Sequence, residues 1–220
     1  MQVKTAGHIF LVDDDASVRS ALTGMLERQG FSVNAYASAD EFLKHATQVS
    51  PAVLLLDMRM PNQNGADLQL DLAKHGWTTP TIFISGESLP AQIVQAMKQG
   101  ASDFLLKPFS MQELLTAVDQ ALEKDRANHA LFIKTLTVEK RYATLTPRER
   151  EVFDAIIVGK TNKQIATADG SAAATIKLHR SRVLAKMQVG SVSALIDLLS
   201  DIDISALRLR SLNVKHPLTP

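Results

Sequence analysis

Five short apolar runs, at 8–12, 32–35, 53–56, 81–84 and 104–106, alternate with longer stretches of helical spacing such as Val18, Leu22, Met25 and Leu26. Breakers fall between the units: Gly30 after the first helical stretch, Gly65 opening the third, Gly76 and Pro80 before the fourth run, Gly100 after the fourth helix. Strands alternating with helices predict an α/β doubly wound, five-stranded parallel sheet with helices on both faces. Such a sheet binds ligands outside the carboxyl ends of its strands.

The chemistry-bearing residues stand at those ends. The first run closes in Asp13-Asp14-Asp15, the third in Asp57, the fourth in Ser85 and the fifth in Lys107-Pro108. Carboxylates forced together either take up protons or bind a cation, and an all-oxygen site with open water positions suits Mg²⁺ (or Mn²⁺). Beside a divalent ion Asp57 stays ionised and can attack phosphorus, forming an acyl phosphate. Lys107 would neutralise charge on the phosphoryl oxygens, and the Ser85 hydroxyl would donate to one of them. Any of these residues alone reads as a solvated loop end, and Asp15 as a helix cap. Their convergence on one edge carries the functional reading.

Composition narrows the class. With 45% hydrophobic and 21% charged residues, the chain has enough apolar material for real cores and does not resemble a disordered sequence. No run approaches the ~18 apolar residues of a membrane span, and the N-terminus is too short in apolar residues for a signal peptide. No cysteine is present, which removes disulfides and zinc-thiolate sites and fits a cytoplasmic protein. Residues 1–124 hold 9 basic against 14 acidic side chains, whereas residues 125–220 hold 15 against 9. An acidic half followed by a basic half suits a module that binds no polyanion joined to one that does.

The segments FLVDDD, LLLDMRMP, FISGES, FLLKPF and AMKQGASDF resemble the flavodoxin-like receiver domain of two-component response regulators, in the FixJ/StyR branch of the NarL/LuxR group. The resemblance implies Asp57 as phosphoacceptor, Asp14 as a direct metal ligand, Asp13 as a ligand through water, and the backbone carbonyl of Arg59 completing the protein's share. It also implies Ser85 as the switching hydroxyl, Lys107 as the family's lysine before a cis Pro108, and Phe104 as the aromatic switch. The alternative is an aspartyl-phosphate phosphatase of the haloacid-dehalogenase type. Its second aspartate two residues on is replaced here by Arg59, which removes the general acid that turnover needs.

Residues 125–143 read as a helical linker, with Leu131, Phe132, Leu136, Val138 and Tyr142 on an apolar stripe and no Gly/Ser tether. Thr146-Pro147-Arg148-Glu149 is a capping box, and Val152, Phe153, Ile156 and Ile157 form an apolar helix face. LTPREREVF, GKTNKQIA, TIKLHRSRVLAKM and SVSALIDLL resemble the all-α LuxR-type helix-turn-helix. The reading is thus a receiver at 1–124, a linker at 125–143, a DNA-binding domain at 144–202, and a tail at 203–220 of no assigned role. Lys160, Lys163, Lys177, Arg180, Arg182 and Lys186 lie close together with Asp169 the one acid among them, as phosphate binding requires. By the resemblance, Lys177, Leu178 and Ser181 face base edges, while Lys163, Thr175, His179 and Arg182 touch the DNA backbone. A last helix with Val192, Leu195, Ile196 and Leu199 would form a dimer contact.

The implied function is a cytoplasmic regulator whose partners are a sensor histidine kinase, double-stranded promoter DNA, a second copy of itself on activation, and RNA polymerase. A phosphorylation-independent regulator is the alternative within this architecture. One stretch departs from the family. Asp169, Ser171 and Ala172 stand where LuxR-type domains carry Leu, Ile and a capping Ser. Two apolar anchors worth roughly 1.5–3 kcal/mol each are missing. The expectation is a loosely packed turn, Asp169 facing solvent, and Ser171 capping the next helix one position early.

Overall fold

The computed structural model describes residues 6–61, 64–86 and 90–213, without the side chains of 211–213. It divides into two compact units that meet after His129, within one long helix. The first unit runs β1 (His8–Val12), α1 (Ala16–Arg28), β2 (Ser32–Tyr36), α2 (Ala39–His45), β3 (Ala52–Asp57), α3 (Gly65–Lys74), β4 (Thr81–Ser85), α4 (Pro90–Lys98) and β5 (Asp103–Leu106). The long helix α5 (Met111–Ala143) follows without interruption. The strands pair in the order β2-β1-β3-β4-β5, all parallel, as the alternation of the sequence predicts.

Period-two alternation decides which side chains face which helices. Ile9, Leu11, Val53, Leu55, Ile82 and Ile84 pack on one face with Leu22 and Leu26 of α1 and Leu114, Val118 and Leu122 of α5. Phe10, Val12, Leu54, Leu56 and Phe83 pack on the other with Phe42 of α2 and Leu68 and Leu72 of α3. The central strand β3 is buried along its whole length, which is why it reads as an unbroken apolar run. The chain passes from β1 to β2 on one side and then crosses to β3 on the other, so the crevice between the carboxyl ends of β1 and β3 is the natural binding point.

The charged run 123–126 is not uniformly a solvated face. Asp125 is 4% exposed. It accepts hydrogen bonds from Ser50 Oγ (2.7 Å) and the Ala52 backbone N–H (3.0 Å), closing the start of β3.

In the second unit, the end of α5 precedes α6 (Pro147–Ile157), α7 (Asn162–Asp169), α8 (Ala173–Lys186), α9 (Val192–Leu199) and α10 (Ile204–Asn213). Val138, Tyr142, Val152, Phe153, Ile156, Val183, Met187, Leu195 and Leu199 form one core. The Thr146/Glu149 capping box closes as expected, and Thr161/Gln164 forms a second at the start of α7. Two expectations change here. The helix carrying Leu195 is not the last, because α10 follows it out of the segment read as a tail. Leu207 of α10 is 2% exposed in the same core, and Arg208 and Arg210 reach Asp154 and Glu139, both at 2.7 Å.

Candidate phosphoacceptor and DNA-binding sites

At the β1/β3 crevice the Lys107 ammonium donates to Asp13 Oδ2 (3.1 Å) and Asp57 Oδ1 (3.2 Å). The second Asp57 oxygen accepts from the Arg59 backbone N–H at 2.9 Å, and the second Asp13 oxygen from that of Asp15 at 2.9 Å. The two carboxylates are 2% and 9% exposed. Burial, together with the Asp13 charge, pushes the Asp57 carboxyl above the usual carboxylate range, though Lys107 and the Arg59 amide pull the other way. For Lys107 burial opposes the charge, but the bonds to Asp13 and Asp57 outweigh it and the ammonium is held above its ordinary range.

Neighbouring backbone holds these groups in place. The Lys107 N–H donates to the Ser85 carbonyl at 2.7 Å, tying the end of β5 to the end of β4, and the Lys107–Pro108 bond is cis as the resemblance implies. Ser85 is 1% exposed. Phe104 is half-buried, its ring 6.1 Å from that of Phe83. Asp15 caps α1 by accepting from Ser17 and Val18.

Two positioning residues escaped the sequence reading. Arg19 donates to the Asp13 carbonyl at 2.7 Å, and nothing in the sequence separates it from other surface arginines of an amphipathic helix. Gly65 reads as a breaker, but a Cβ there would stand 2.5 Å from the Asp57 carbonyl, so the start of α3 approaches the end of β3 only without a side chain.

The three aspartates expected to share a metal do not all stand together. Asp13 and Asp57 share Lys107, whereas Asp14 is exposed and lines a recess with Ser38, Asp40 and Pro61. Among the described residues no three His, Cys, Asp or Glu side chains are gathered for a metal. The site still fits a hard cation. Two buried carboxylates share one ammonium, leaving negative charge unbalanced, and the donors are oxygens, as Mg²⁺ requires.

On the second unit, α8 buries Ile176 and Val183 and exposes Thr175, Lys177, Leu178, Ser181 and Arg182; Lys163 is exposed on α7. His179, expected at the DNA backbone, is less exposed than Lys177 and Leu178 before it on α8. It is half-buried, and its Nδ1 is enclosed without a partner among the described residues. Two of the six clustered cations serve the fold instead. Arg180 donates to the Lys160 carbonyl (3.2 Å) and Asn162 Oδ1 (3.3 Å), and Lys186 to Glu149 Oε2 (2.6 Å) and the Thr144 carbonyl (2.9 Å).

The turn between α7 and α8 differs from expectation. Asp169 is exposed, as expected, but its carboxylate is ion-paired with Arg148 and accepts from the Ser171 N–H at 2.9 Å. Gly170 takes the left-handed conformation (φ 71°) that ends α7. Ser171 does not cap α8. Ala172 stands at the cap with no side-chain bond, and Ser171 Oγ is buried without a partner among the described residues. Ile165, Ala166 and Ile176 close a small core beneath the turn. A cavity of about 200 Å³ remains beside Val152, Ala155, Ile165 and Asp169.

A doubly wound sheet with a strand-end aspartate, lysine and hydroxyl, joined to a helix-turn-helix with a basic exposed helix, defines a signal receiver coupled to a DNA-binding domain. Residues 9–119 match the response regulator receiver domain family, and residues 143–199 match the luxR family of bacterial regulatory proteins. Nodulation protein W of Bradyrhizobium diazoefficiens is 38% identical over 205 residues, covering 93% of this chain and 90% of that protein. The transcriptional regulatory protein FixJ of Rhizobium meliloti is 36% identical, covering 86% and 92%. The solved structure of the response regulator StyR matches with a TM-score of 0.76 at 37% identity, covering 88% of this chain and 98% of that one. The chain belongs to the two-component response regulators that carry a receiver and a LuxR-type DNA-binding domain and regulate transcription.

Proposed function

We propose that a sensor histidine kinase phosphorylates Asp57, and that the phosphorylated state favours a dimer binding promoter DNA in the cytoplasm. The observation that carries this reading is the shielded Asp57 carboxylate at the β1/β3 crevice, with the Lys107 ammonium 3.2 Å from one oxygen. In the transfer an Asp57 oxygen bonds to phosphorus as the donor's P–N bond breaks. The Lys107 ammonium meets the phosphoryl oxygens, and the Ser85 hydroxyl at the neighbouring strand end donates to one of them. A Mg²⁺ ion (or Mn²⁺) held by Asp13, Asp57 and the Arg59 carbonyl, with Asp14 brought in from its exposed position, would supply further positive charge there. With Arg59 standing two residues after Asp57, where the phosphatase pattern has its acid, the chemistry suits a switch and not a turnover enzyme.

A dimer through α4, β5 and α5 is supported by exposed apolar side chains: Val94 and Met97 on α4, and Leu106 on β5. Leu131 and Phe132, also exposed on α5, offer a second contact. For DNA, α8 enters the major groove with Lys177, Leu178 and Ser181 at base edges and Lys163, Thr175 and Arg182 on phosphates. RNA polymerase is the remaining partner at a promoter.

Acetyl phosphate with Mg²⁺ tests the reading. Stoichiometric, slowly decaying label on the wild type and none on Asp57→Asn is expected. Retained label in the variant would move the nucleophile elsewhere, and sustained phosphate release would favour the phosphatase. Sedimentation with and without a phosphoryl mimic tests dimerisation, and an unchanged monomer mass at micromolar protein would overturn it.

A further inference from the structure

At the end of the sheet opposite Asp57, a cavity of about 240 Å³ lies between the second half of α3, the segment before β4, the end of α4, and α5. Three buried polar atoms in its wall, Gln69 Oε1, Thr79 Oγ1 and Gln99 Oε1, have no hydrogen-bond partner among the described residues. Gln69 is only 9% exposed. Buried polar atoms are ordinarily satisfied, and three such atoms on one cavity wall are groups that a polar guest can satisfy. These atoms take no part in the phosphoacceptor chemistry.

We propose that this cavity binds a small hydroxycarboxylate. Its lining holds one cation, Lys124, whose ammonium stands 3.4 Å from Ser102 Oγ, and no acidic side chain, so it favours an anion. The orphaned oxygens of Gln69 and Gln99 call for O–H or N–H donors on the guest, and either carboxamide can turn over to donate instead. Leu72, Pro80 and Trp77 supply apolar surface for a short carbon skeleton. At ~30 Å³ per water the space equals about eight waters, which suits a guest of roughly six to ten non-hydrogen atoms. The guest would bridge α3, α4 and α5.

Trp77 is the only tryptophan and lines this cavity, so its emission in the full-length protein responds to a guest bound there. Titration with L-malate and D-glycerate, in metal-free buffer at matched ionic strength, is expected to saturate. Binding should be about tenfold tighter than for propionate, which lacks the hydroxyl, or glycerol, which lacks the charge. Lys124→Met is expected to bring the acids down to the level of glycerol, and Gln99→Leu to abolish the preference over propionate. Asp57→Asn should bind like the wild type, which separates the cavity from the phosphoacceptor. An unsaturable response, or equal responses to all four probes, would show a cavity filled by water alone and overturn the proposal, whatever the folding of the variants.

Discussion

The ammonium of Lys107 lies 3.2 Å from Asp57 Oδ1, and it reaches Asp13 at almost the same distance. One cation thus holds two buried anions apart from solvent, and the balance of the site depends on it.

Lys107→Met should therefore destabilise the first unit by about 1–3 kcal/mol at pH 7.5, because it strands two buried carboxylates. Asp57 is already pushed up in the folded state. A carboxyl with a raised folded pKa binds more protons folded than unfolded, so its contribution to stability falls as pH rises above its unfolded value. The deficit of the variant should shrink as pH drops from 7.5 to 5.5. Denaturant titrations at the two pH values check this, and a deficit that grows on acidification would refute it.

Asp57→Asn removes the same raised carboxylate and should leave the first unit as stable as the wild type or more so at neutral pH. Mg²⁺ should then distinguish the two proteins. At ten times its dissociation constant, a ligand specific to the folded state adds about 1.4 kcal/mol. That increment is expected in the wild type and should be largely lost in the variant. Thermal unfolding with and without Mg²⁺ measures it.

The Glu149 carboxylate, nearly enclosed, meets the Lys186 ammonium at 2.6 Å and the Thr146 N–H at 2.9 Å. Burial works against its charge, but these bonds prevail and hold its pKa down. A depressed carboxyl stabilises above its unfolded pKa and loses that contribution as pH falls through the folded value. Lys186→Met should cost the second unit roughly 1–3 kcal/mol at pH 7 and little near pH 3. Lys186 should also prove neutral for the salt dependence of DNA binding, since its charge is committed internally.

The sheet and the strand-end residues were legible because both rest on local rules: period-two apolar runs between helices, and polar residues where runs stop. Asp125 and Lys186 were not. Each sits among charged neighbours in sequence, and only the tertiary fold brings Ser50 and Ala52 to one and Glu149 to the other. Leu207 escaped for a related reason, lying beyond the span that resembles known domains although it completes their core. The partial burial of His179 follows from helix geometry, because it lies three residues on from buried Ile176.

On DNA, Lys177→Ala should lose discrimination between matched and scrambled sites, by roughly 1–3 kcal/mol, while Lys163→Ala weakens both and lowers the salt slope by about one. Binding curves at two salt concentrations decide between these roles. Equal losses on both sites for Lys177→Ala would remove it from the base edges.

The start of α8 carries the last prediction. Ala172 is already extended (φ −72°, ψ 138°), the conformation a capping serine adopts, but it has no side chain to accept from the first turn. Ser171 offers an oxygen one residue early and turned inward, where it finds no partner among the described residues. Ala172→Ser should therefore stabilise the second unit by about 0.5–1 kcal/mol, raising its melting temperature by roughly 3–6 °C. Ser171→Ala should be close to neutral, since it removes a hydroxyl whose hydrogen bond is not made. Asp169→Leu should gain less than a buried leucine normally provides. It fills the neighbouring cavity of about 200 Å³ but breaks the pair with Arg148 and the bond to the Ser171 N–H. Calorimetry of the full chain resolves the three variants. A neutral Ala172→Ser would mean that the first turn of α8 is already satisfied by other means, and the missing cap would then not be what sets the stability of this turn.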